Sequence, residues 1–543
     1  MFGKVRLESL YAWQRKCLFL AVVLFPLQSL LCYRNSLLSV ASFYGQISSV
    51  PILIGILLAI AACVKEGNAK RFLFPVFVIA IGYVFLCCVT SIHSIIEYSS
   101  IGSFDAASFG ETAKIRPFKR LLLAFGVSNE ALLYELLVFL KDTYSALREI
   151  IFAFGLVVWI VFLSRKGIKA VFVLIQNGVI GSALFLAPYI LLELLHLYGF
   201  LGATTVLKAI NSYLYEPGAY LGWYPPLVSP NQVRGFCTEP SFLAVWFAFA
   251  MPFLLSFLFM RIKSPLRRFF VGLVVFSIYF SIWFMTYART SIVLMVVLFL
   301  LYLFISIIFR SSNNFQAVGI IAFSLLAAFF VTSNWGPQDF SRQTPSVQTT
   351  PPLKKTEPMV ADSVLFSDTI RSLIDAKSRS NPARLEAVLL NLEVFKGHPI
   401  LGAGDVLSSL FLRKIATGER LQSMPEEIQH NYRYGKQNGV FATGAGSSLW
   451  IPGILASRGI LGFSAIFLPI FATGVGLFIS LFRVNLLYRQ HFLCVFISCS
   501  AVLPSAFSQG LWFFYLWCGL GLALSIIYGV RNLKSLSKNR SLQ

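Results

Sequence analysis

Charged residues stand directly beside long apolar runs at three places in the sequence. In NQVRGFCTEPSF, Arg234 and Glu239 come just before an apolar run, and in MTYARTS, Arg289 lies between two such runs. Further along, Arg384 begins the amphipathic stretch ARLEAVLLNLEVF. A guanidinium group presents a planar fork of donors that binds phosphate oxygens two at a time, and a carboxylate can accept a proton from a hydroxyl group. These residue types could therefore bind a diphosphate and help to transfer a group from it.

Each of these residues also has a structural interpretation. A charge at the edge of a bilayer costs free energy unless it is paired or serves a function. Arg289, in a tight turn, could extend to lipid headgroups, and Arg384 could pair within its own helix. Glu239 precedes Pro240 and could stabilise the start of the next helix, where backbone N–H groups are exposed. The residue types alone allow both roles.

The composition places these residues in a membrane protein. Of 543 residues, 57% are hydrophobic and 13% are charged, and apolar runs recur from end to end. A helix needs roughly 20 mostly apolar residues to cross a bilayer, so we expect an all-α polytopic membrane protein with about 12 transmembrane helices. The predicted spans are about 17–33, 46–64, 72–94, 150–164, 170–195, 240–260, 268–286, 290–309, 316–332, 460–482, 491–508 and 510–530.

The net charge of +22 reflects membrane topology and not nucleic-acid binding. Lys and Arg form short clusters between apolar runs, in every second short connection, as the positive-inside rule requires. We therefore expect both termini to be cytoplasmic. The predicted cytoplasmic cations are Lys65, Lys70, Arg71, Arg165, Lys166, Lys169, Arg261, Lys263, Arg267, Arg268, Arg310, Arg483, Arg489, Arg531, Lys534, Lys538 and Arg540.

The opposite side receives the loop near Arg34, a segment of about 95–149, the loop 196–239, the tight turn at Arg289 and a long loop of about 333–446. This last loop divides the chain into three parts. Residues 1–332 hold nine predicted spans and an external segment at 95–149, residues 333–446 form a large external loop, and residues 447–543 hold the last spans. Segment 95–149 has apolar residues at helical spacing, which fits either a helix on the outer leaflet or one packed over the spans. The first part of the loop is rich in Pro, Thr, Ser and Gln, and we expect it to be flexible. Its second part predicts an amphipathic helix from about Ala383 to Phe395 that stops at Gly397.

Cysteine and histidine spacing predicts neither disulfides nor a metal site. Of the nine cysteines only Cys237 falls in a predicted loop, so no loop offers paired thiols. His398, Asp405 and His430 are lesser catalytic candidates, since lone histidines in a loop are more often structural or solvated. Gly402 and Gly404 in HPILGAGD allow a tight turn, or a close backbone approach to a pyrophosphate. We expect no cofactor.

Three phrases of the sequence together resemble the O-antigen polymerase and O-antigen ligase superfamily of bacterial envelope glycosyltransferases. They are RGFCTEPSFLAVW, MTYARTSIVLMVVL, and ARLEAVLLNLEVFKGHPILGAGD followed by SSLWIPGILASRGILGF. In that family an Arg and a Glu-Pro-Ser precede one span, a Thr-x-x-Arg phrase opens another, and an Arg-led helix ends in a Pro-x-x-Gly-x-Gly turn within a large periplasmic loop. The resemblance covers roughly residues 230–470.

The resemblance implies transfer of a glycan from undecaprenyl diphosphate at the periplasmic face of the bacterial inner membrane, without nucleotide sugar or metal. Arg234, Arg289 and Arg384 would hold the diphosphate, whose charge grows as it leaves, so that Arg289 would also be catalytic. Glu239 would accept the proton of the acceptor hydroxyl. A protein that regulates chain length would be a further partner, beside the lipid bilayer itself.

One departure from the family distinguishes its branches. Ligases carry His-Asn ten and eleven residues before the Gly-x-x-Gly that opens the next span, whereas Ser448 and Leu449 stand in that place here. Arg433 and Gly444 fit an Arg-x10-Gly pattern described for some O-antigen polymerases. We therefore expect polymerisation of O-antigen, capsule or exopolysaccharide repeat units, with ligation to lipid A core as the alternative.

Two functions outside this family are also compatible with many spans. A flippase or other transporter would share the basic loops, but it would need ionisable residues near the midplane of the membrane, and the predicted spans carry almost none. A sensor or scaffold would use the external loop to bind a partner. The sequence favours the glycosyltransferase over both.

Overall fold

The computed structural model describes residues 6–28, 46–67, 69–112, 115–214, 232–237, 239–335, 380–443, 450–483, 486–507 and 514–540, which form helices and contain no strand. The helices before residue 215 are α1 (Leu7–Val23), α2 (Ser49–Lys65), α3 (Ala69–Ser99), α4 (Ala106–Phe109), α5 (Arg116–Ala124), α6 (Glu130–Glu149), α7 (Gly155–Ser164), α8 (Ile168–Leu197) and α9 (Leu201–Leu214). The later helices are α10 (Pro240–Arg261), α11 (Pro265–Phe284), α12 (Arg289–Phe309), α13 (Ser312–Trp335), α14 (Ser380–Gly397), α15 (Ser408–Ile415), α16 (Gly418–Ser423), α17 (Glu426–Asn438), α18 (Val440–Thr443), α19 (Trp450–Arg483), α20 (Leu486–Val502) and α21 (Phe514–Arg540).

Eight helical segments among the described residues are long and apolar enough to cross a membrane. They are Phe72–Ser99, Glu130–Ser164, Ile168–Leu197, Pro240–Arg261, Pro265–Phe284, Arg289–Phe309, Ser312–Asn334 and Ile451–Phe482. The sequence predicted about 12. Two of the other predicted spans correspond to shorter apolar helices, at Ser49–Lys65 and Phe514–Gly529. An all-helical chain with these long apolar segments is compatible with a multi-pass membrane protein.

One predicted span is much longer than expected. The helix predicted at 150–164 continues backwards through a π-helical turn, Ile150–Phe154, into α6, so that Glu130–Ser164 is one segment of 35 residues. The buried face of α6 carries Leu133, Leu137 and Val138, which explains the helical spacing in the supposed external segment. This half of 95–149 therefore packs against other helices, whereas α5 contains no buried residue.

α10 is the most enclosed of the apolar segments listed above, because 72% of its most apolar window is buried. Around it, a hydrophobic core includes Trp159, Trp246, Trp283 and Trp517, all nearly inaccessible. A second cluster lies around the end of α3 and includes Tyr98, Phe109, Leu407 and Phe441 from segments far apart in the chain. α10 is thereby enclosed by the helices that contribute to this core, and Glu239 stands at its N-terminal end.

Contacts join the basic connections in pairs at the helix ends. Lys166 Nζ lies 3.1 Å from Glu66 Oε1, which links the connection after α2 to the one after α7. The Nε of Arg268 donates to Gln316 Oε1 at 2.8 Å, which links the start of α11 to the start of α13. The sequence placed the basic residues around these contacts on the same side, and each contact does join two helix ends that lie together.

Candidate functional site

Arg234 lies in a tight turn before α10 and is only 1% exposed. Its Nη1 donates to the carbonyl oxygen of Cys237 within the same turn. The carboxylate of Glu193, on α8, accepts hydrogen bonds from the backbone N of Arg234 at 3.2 Å and of Gly235 at 2.9 Å. The positive charge of Arg234 also acts on Glu193. The buried side chain of Glu193 therefore holds the backbone of this turn in place.

Glu239 occupies the N-cap position of α10 with extended backbone angles, φ −136° and ψ 153°. Its carbonyl oxygen accepts from the backbone N of Phe242 at 3.0 Å. The carboxylate makes no capping bond to the backbone, and instead Oε2 accepts from the Oγ of Ser241 at 3.0 Å. Glu239 therefore does occupy the N-cap position, as the capping interpretation predicts, but its carboxylate does not cap the backbone N–H groups of the helix.

The turn that leads into Arg289 has an unusual backbone. Tyr287 has φ +44°, a left-handed conformation that bulky residues rarely adopt and that clusters at functional sites. Beneath it, the hydroxyl groups of Thr286 and Ser291 are 2.6 Å apart. Burial raises the pKa of Tyr287 to about 12, so its hydroxyl group keeps its proton at neutral pH. Arg289 then begins α12 directly after this turn.

The structure brings the segments of the three predicted arginines together. The backbone N of Val233, next to Arg234, donates to the carbonyl oxygen of Met285 at 3.0 Å, in the turn before Arg289. Arg384, exposed on α14, lies close enough for its positive charge to act on Arg289. Two like charges repel each other at such a distance, and a bound dianion would offset that repulsion.

The lesser candidates lie elsewhere. His398 is buried at the end of α14, where its Nδ1 is 2.8 Å from Glu97 Oε2 and its ring meets that of Phe411 edge-on. On α17, His430 and Arg433 are both exposed, and Arg433 Nη2 donates to Gln429 Oε1 at 3.1 Å within that helix. The remaining motif positions, Gly444, Ser448 and Leu449, fall outside the described residues.

A buried ion cluster that sequence reasoning missed is centred on Arg458, which is 5% exposed. Its Nη2 donates to Glu149 Oε1 at 2.7 Å and to Asp405 Oδ2 at 2.5 Å. Its Nε donates to Asp405 Oδ1 at 3.1 Å, and its Nη1 donates to Glu149 Oε2 at 2.5 Å and to the Tyr83 hydroxyl oxygen. All five N–H groups of the guanidinium are therefore used.

A third carboxylate, Asp142, borders this cluster and is 4% exposed. Its Oδ2 accepts from Ser91 Oγ at 2.9 Å, and its Oδ1 accepts from the backbone N of Val406 at 3.1 Å. Burial opposes ionisation of the neighbouring Asp405, but Arg458 more than offsets this and lowers the pKa of Asp405. Because a carboxylate with a lowered pKa is a weak base, Asp405 is a poor candidate for proton abstraction.

The ion cluster corrects the expectation that the spans carry almost no ionisable residues. Glu149 and Asp142 lie in the segment Glu130–Ser164, and Arg458 lies in Ile451–Phe482. Both segments begin before the predicted spans at 150–164 and 460–482, so these residues were assigned to connections. The signal was present, since Asp142 and Glu149 are seven residues apart and share one helix face, and Arg458 interrupts the apolar phrase ILASRGILG.

Three glycines allow the chain to pass closely beside Arg458. Gly402 and Gly404 have φ +79° and +74°, and Gly459 breaks α19 with φ +59° and ψ −166°. The backbone N of Gly404 donates to Ser457 O at 2.8 Å, and a Cβ on Gly402 would lie 2.3 Å from Arg458 N. The close approach that Gly402 permits is therefore to the backbone of α19.

The chain matches no protein-family model, no curated protein and no solved structure. The charge of Arg384 acts on Arg289, and Glu239 stands at the start of α10, where the preceding turn is joined by the backbone hydrogen bond from Val233 to Met285 to the turn before Arg289. Such a set can bind a dianion and accept a proton beside it.

Proposed function

We propose that this chain is a metal-independent membrane glycosyltransferase that polymerises lipid-linked oligosaccharide repeat units. The proposal follows the resemblance to the O-antigen polymerase and ligase superfamily, with the donor held on undecaprenyl diphosphate. It includes about 12 spans, cytoplasmic termini, and a periplasmic loop 333–446 at the bacterial inner membrane. The observation that supports it is the hydrogen bond from Val233 N, next to Arg234, to Met285 O, in the turn before Arg289, together with the electrostatic effect of Arg384 on Arg289.

In the proposed reaction, the acceptor hydroxyl oxygen attacks the anomeric carbon of the donor sugar. The bond from that carbon to the phosphate oxygen breaks, and the electron pair leaves with the diphosphate. Arg289 and Arg384 stabilise this growing negative charge, while Glu239 accepts the hydroxyl proton. Because Arg234 is enclosed by its own turn, its contribution is positive potential beneath the site.

The test is glycan formation by the purified protein supplied with undecaprenyl-diphosphate repeat units. We expect the wild-type protein to form a ladder of growing chains. Arg289→Ala should lower the rate on the order of 100-fold or more, since a preorganised cation at the leaving group is lost. The matched control is Arg310→Gly at the other end of α12, where φ is +38° and glycine fits.

Other outcomes would redirect the proposal. Product that forms only after addition of lipid A core would identify a ligase. An Arg289→Ala protein as active as Arg310→Gly would contradict the site. Absence of transfer to any acceptor would contradict the function and favour a transporter, for which the buried charges Glu149 and Arg458 within candidate spans would be the starting point.

A further inference from the structure

The connection between α14 and α15, residues 398–407, is fixed to the break in α19 by both backbone and side chains. The backbone N of Ala403 donates to Ala456 O at 2.9 Å, and that of Ile460 donates to Pro399 O at 2.9 Å. Arg458, directly before the break, binds Asp405 in this connection and Glu149 in α6. One guanidinium thus links an external connection to two helices of the candidate spans.

Stability alone does not account for this ion pair. Removing charges from water costs several kcal/mol per ion, and well-packed apolar residues often stabilise a fold equally well. What a bidentate pair adds is a defined geometry, because both nitrogens and both oxygens must align. Asp405 is bound through Oδ1 and Oδ2, which fixes the orientation of the connection as well as its distance.

α14 extends this geometry to the candidate site. It ends at Gly397, directly before the fixed connection, and Arg384 lies thirteen residues earlier. At a rise of about 1.5 Å per residue, the helix carries Arg384 about 20 Å from that end. His398, one residue beyond the helix, is itself held against Glu97 of α3 at 2.8 Å. A helix fixed at this end presents Arg384 at a defined place near Arg289.

We propose that Arg458 is a positioning residue that acts through Asp405 and α14 to place Arg384 beside Arg289. The inference rests on the proposed function, in which these two arginines hold the diphosphate. Arg458 itself touches no substrate, because all five of its N–H groups are bound within the protein.

The first variant is Asp405→Asn, which removes the charge while Arg458 stays paired with Glu149. We expect kcat for glycan transfer to fall on the order of tenfold. In the double variant with Arg384→Ala the rate should equal that of Arg384→Ala alone, because a residue that acts through Arg384 has no effect once Arg384 is gone. The matched control is Glu393→Gln, which breaks the exposed pair between α14 and Arg420 and should leave kcat unchanged.

A disulfide cross-link distinguishes a loss of positioning from a general loss of stability. Cysteines at Ala403 and Ala456, whose backbones are hydrogen-bonded, would hold the connection without the ion pair. Oxidised Asp405→Asn protein with this disulfide should recover its rate and lose it again on reduction. Rates that multiply in the double variant, or no recovery on oxidation, would overturn the inference.

A distance measurement separates failure of this inference from failure of the proposed function. Spin labels carried by non-natural amino acids at Leu385 on α14 and Val293 on α12, both exposed, report the separation of the two helices. Asp405→Asn should broaden that distance distribution, whether or not glycan transfer is observed. If the wild-type protein transfers no glycan, the proposed function fails. If the distribution is unchanged, the positioning role fails.

Discussion

At the scale of single residues, buried carboxylates determine where the arginines of this protein lie. Glu193 holds the turn of Arg234 through two backbone N–H groups, and Glu149 and Asp405 enclose Arg458. Each arginine is nearly inaccessible. A buried guanidinium without such a partner would be strongly destabilising. The carboxylates are therefore as necessary to the geometry as the arginines.

Glu193→Ala tests whether this carboxyl group holds the turn of Arg234. The substitution leaves the backbone N–H groups of Arg234 and Gly235 without their acceptor in a buried turn. We expect the free energy of unfolding to fall by about 3 kcal/mol, measured by thermal or denaturant unfolding of the purified protein. Glu419→Ala, at an exposed position of α16, should change it by less than about 0.5 kcal/mol. Equal unfolding midpoints for the two variants would show that Glu193 does not hold the turn.

At the scale of elements, the break in α19 creates the surface on which the connection between α14 and α15 docks. Only glycine adopts φ +59° and ψ −166° without strain, and at Gly459 a side chain would also meet the connection, since its Cβ would lie 2.3 Å from Ile400 O. Position 459 therefore requires glycine for two reasons: its backbone conformation and the lack of space for a side chain.

The element-scale prediction compares two glycines of the same helix. Gly459→Ala should lower the free energy of unfolding by about 3 kcal/mol and reduce transfer, because the connection must move away from α19. Gly474→Ala should be neutral or stabilising by up to about 1 kcal/mol, since open space surrounds that position and alanine favours a helix. Unfolding midpoints in one detergent give both values. A Gly459→Ala protein as stable as Gly474→Ala would contradict the steric argument.

At the scale of the whole molecule, the contacts between basic connections accord with the topology expected from charge. Lys166 forms an ion pair with Glu66, and Arg268 donates a hydrogen bond to Gln316. Each contact joins two different connections between helices. Helix length and hydropathy alone mark eight segments of the described chain as able to span a membrane. The direction in which the bundle is inserted is a prediction from the positive-inside rule, and it is open to direct measurement.

The whole-molecule prediction uses single cysteines and a membrane-impermeant maleimide on bacterial cells whose outer membrane has been removed. Glu419→Cys, exposed on α16 in the proposed periplasmic loop, should react in intact cells. Lys166→Cys, whose parent side chain is 58% exposed, should react only after the inner membrane is opened. The unsubstituted protein sets the background from its native thiols. The reverse pattern would invert the topology and place Arg289 in the cytoplasm.

Local patterns in the sequence determined the helices and several of their ends. Apolar runs predicted α8, α10, α11 and α12 to within a few residues, because hydropathy and helix length are properties of adjacent residues. The Asn-Pro signal and Gly397 likewise marked α14, which runs from Ser380 to Gly397. The same local patterns placed Arg289 in the turn before a span at 290–309, and the helix begins one residue earlier, at Arg289 itself.

Only the tertiary structure decided which charges meet. Arg458 and Glu149 are 309 residues apart, and Arg458 and Asp405 are 53 apart, so no local pattern pairs them. Such pairs form because burial of the helices forces each charge to find a partner that the fold has brought within reach. The same packing sets Arg384 near Arg289 and encloses Arg234 in its turn. Sequence fixes where a helix can exist, whereas the partners of its charged residues depend on how all the helices pack.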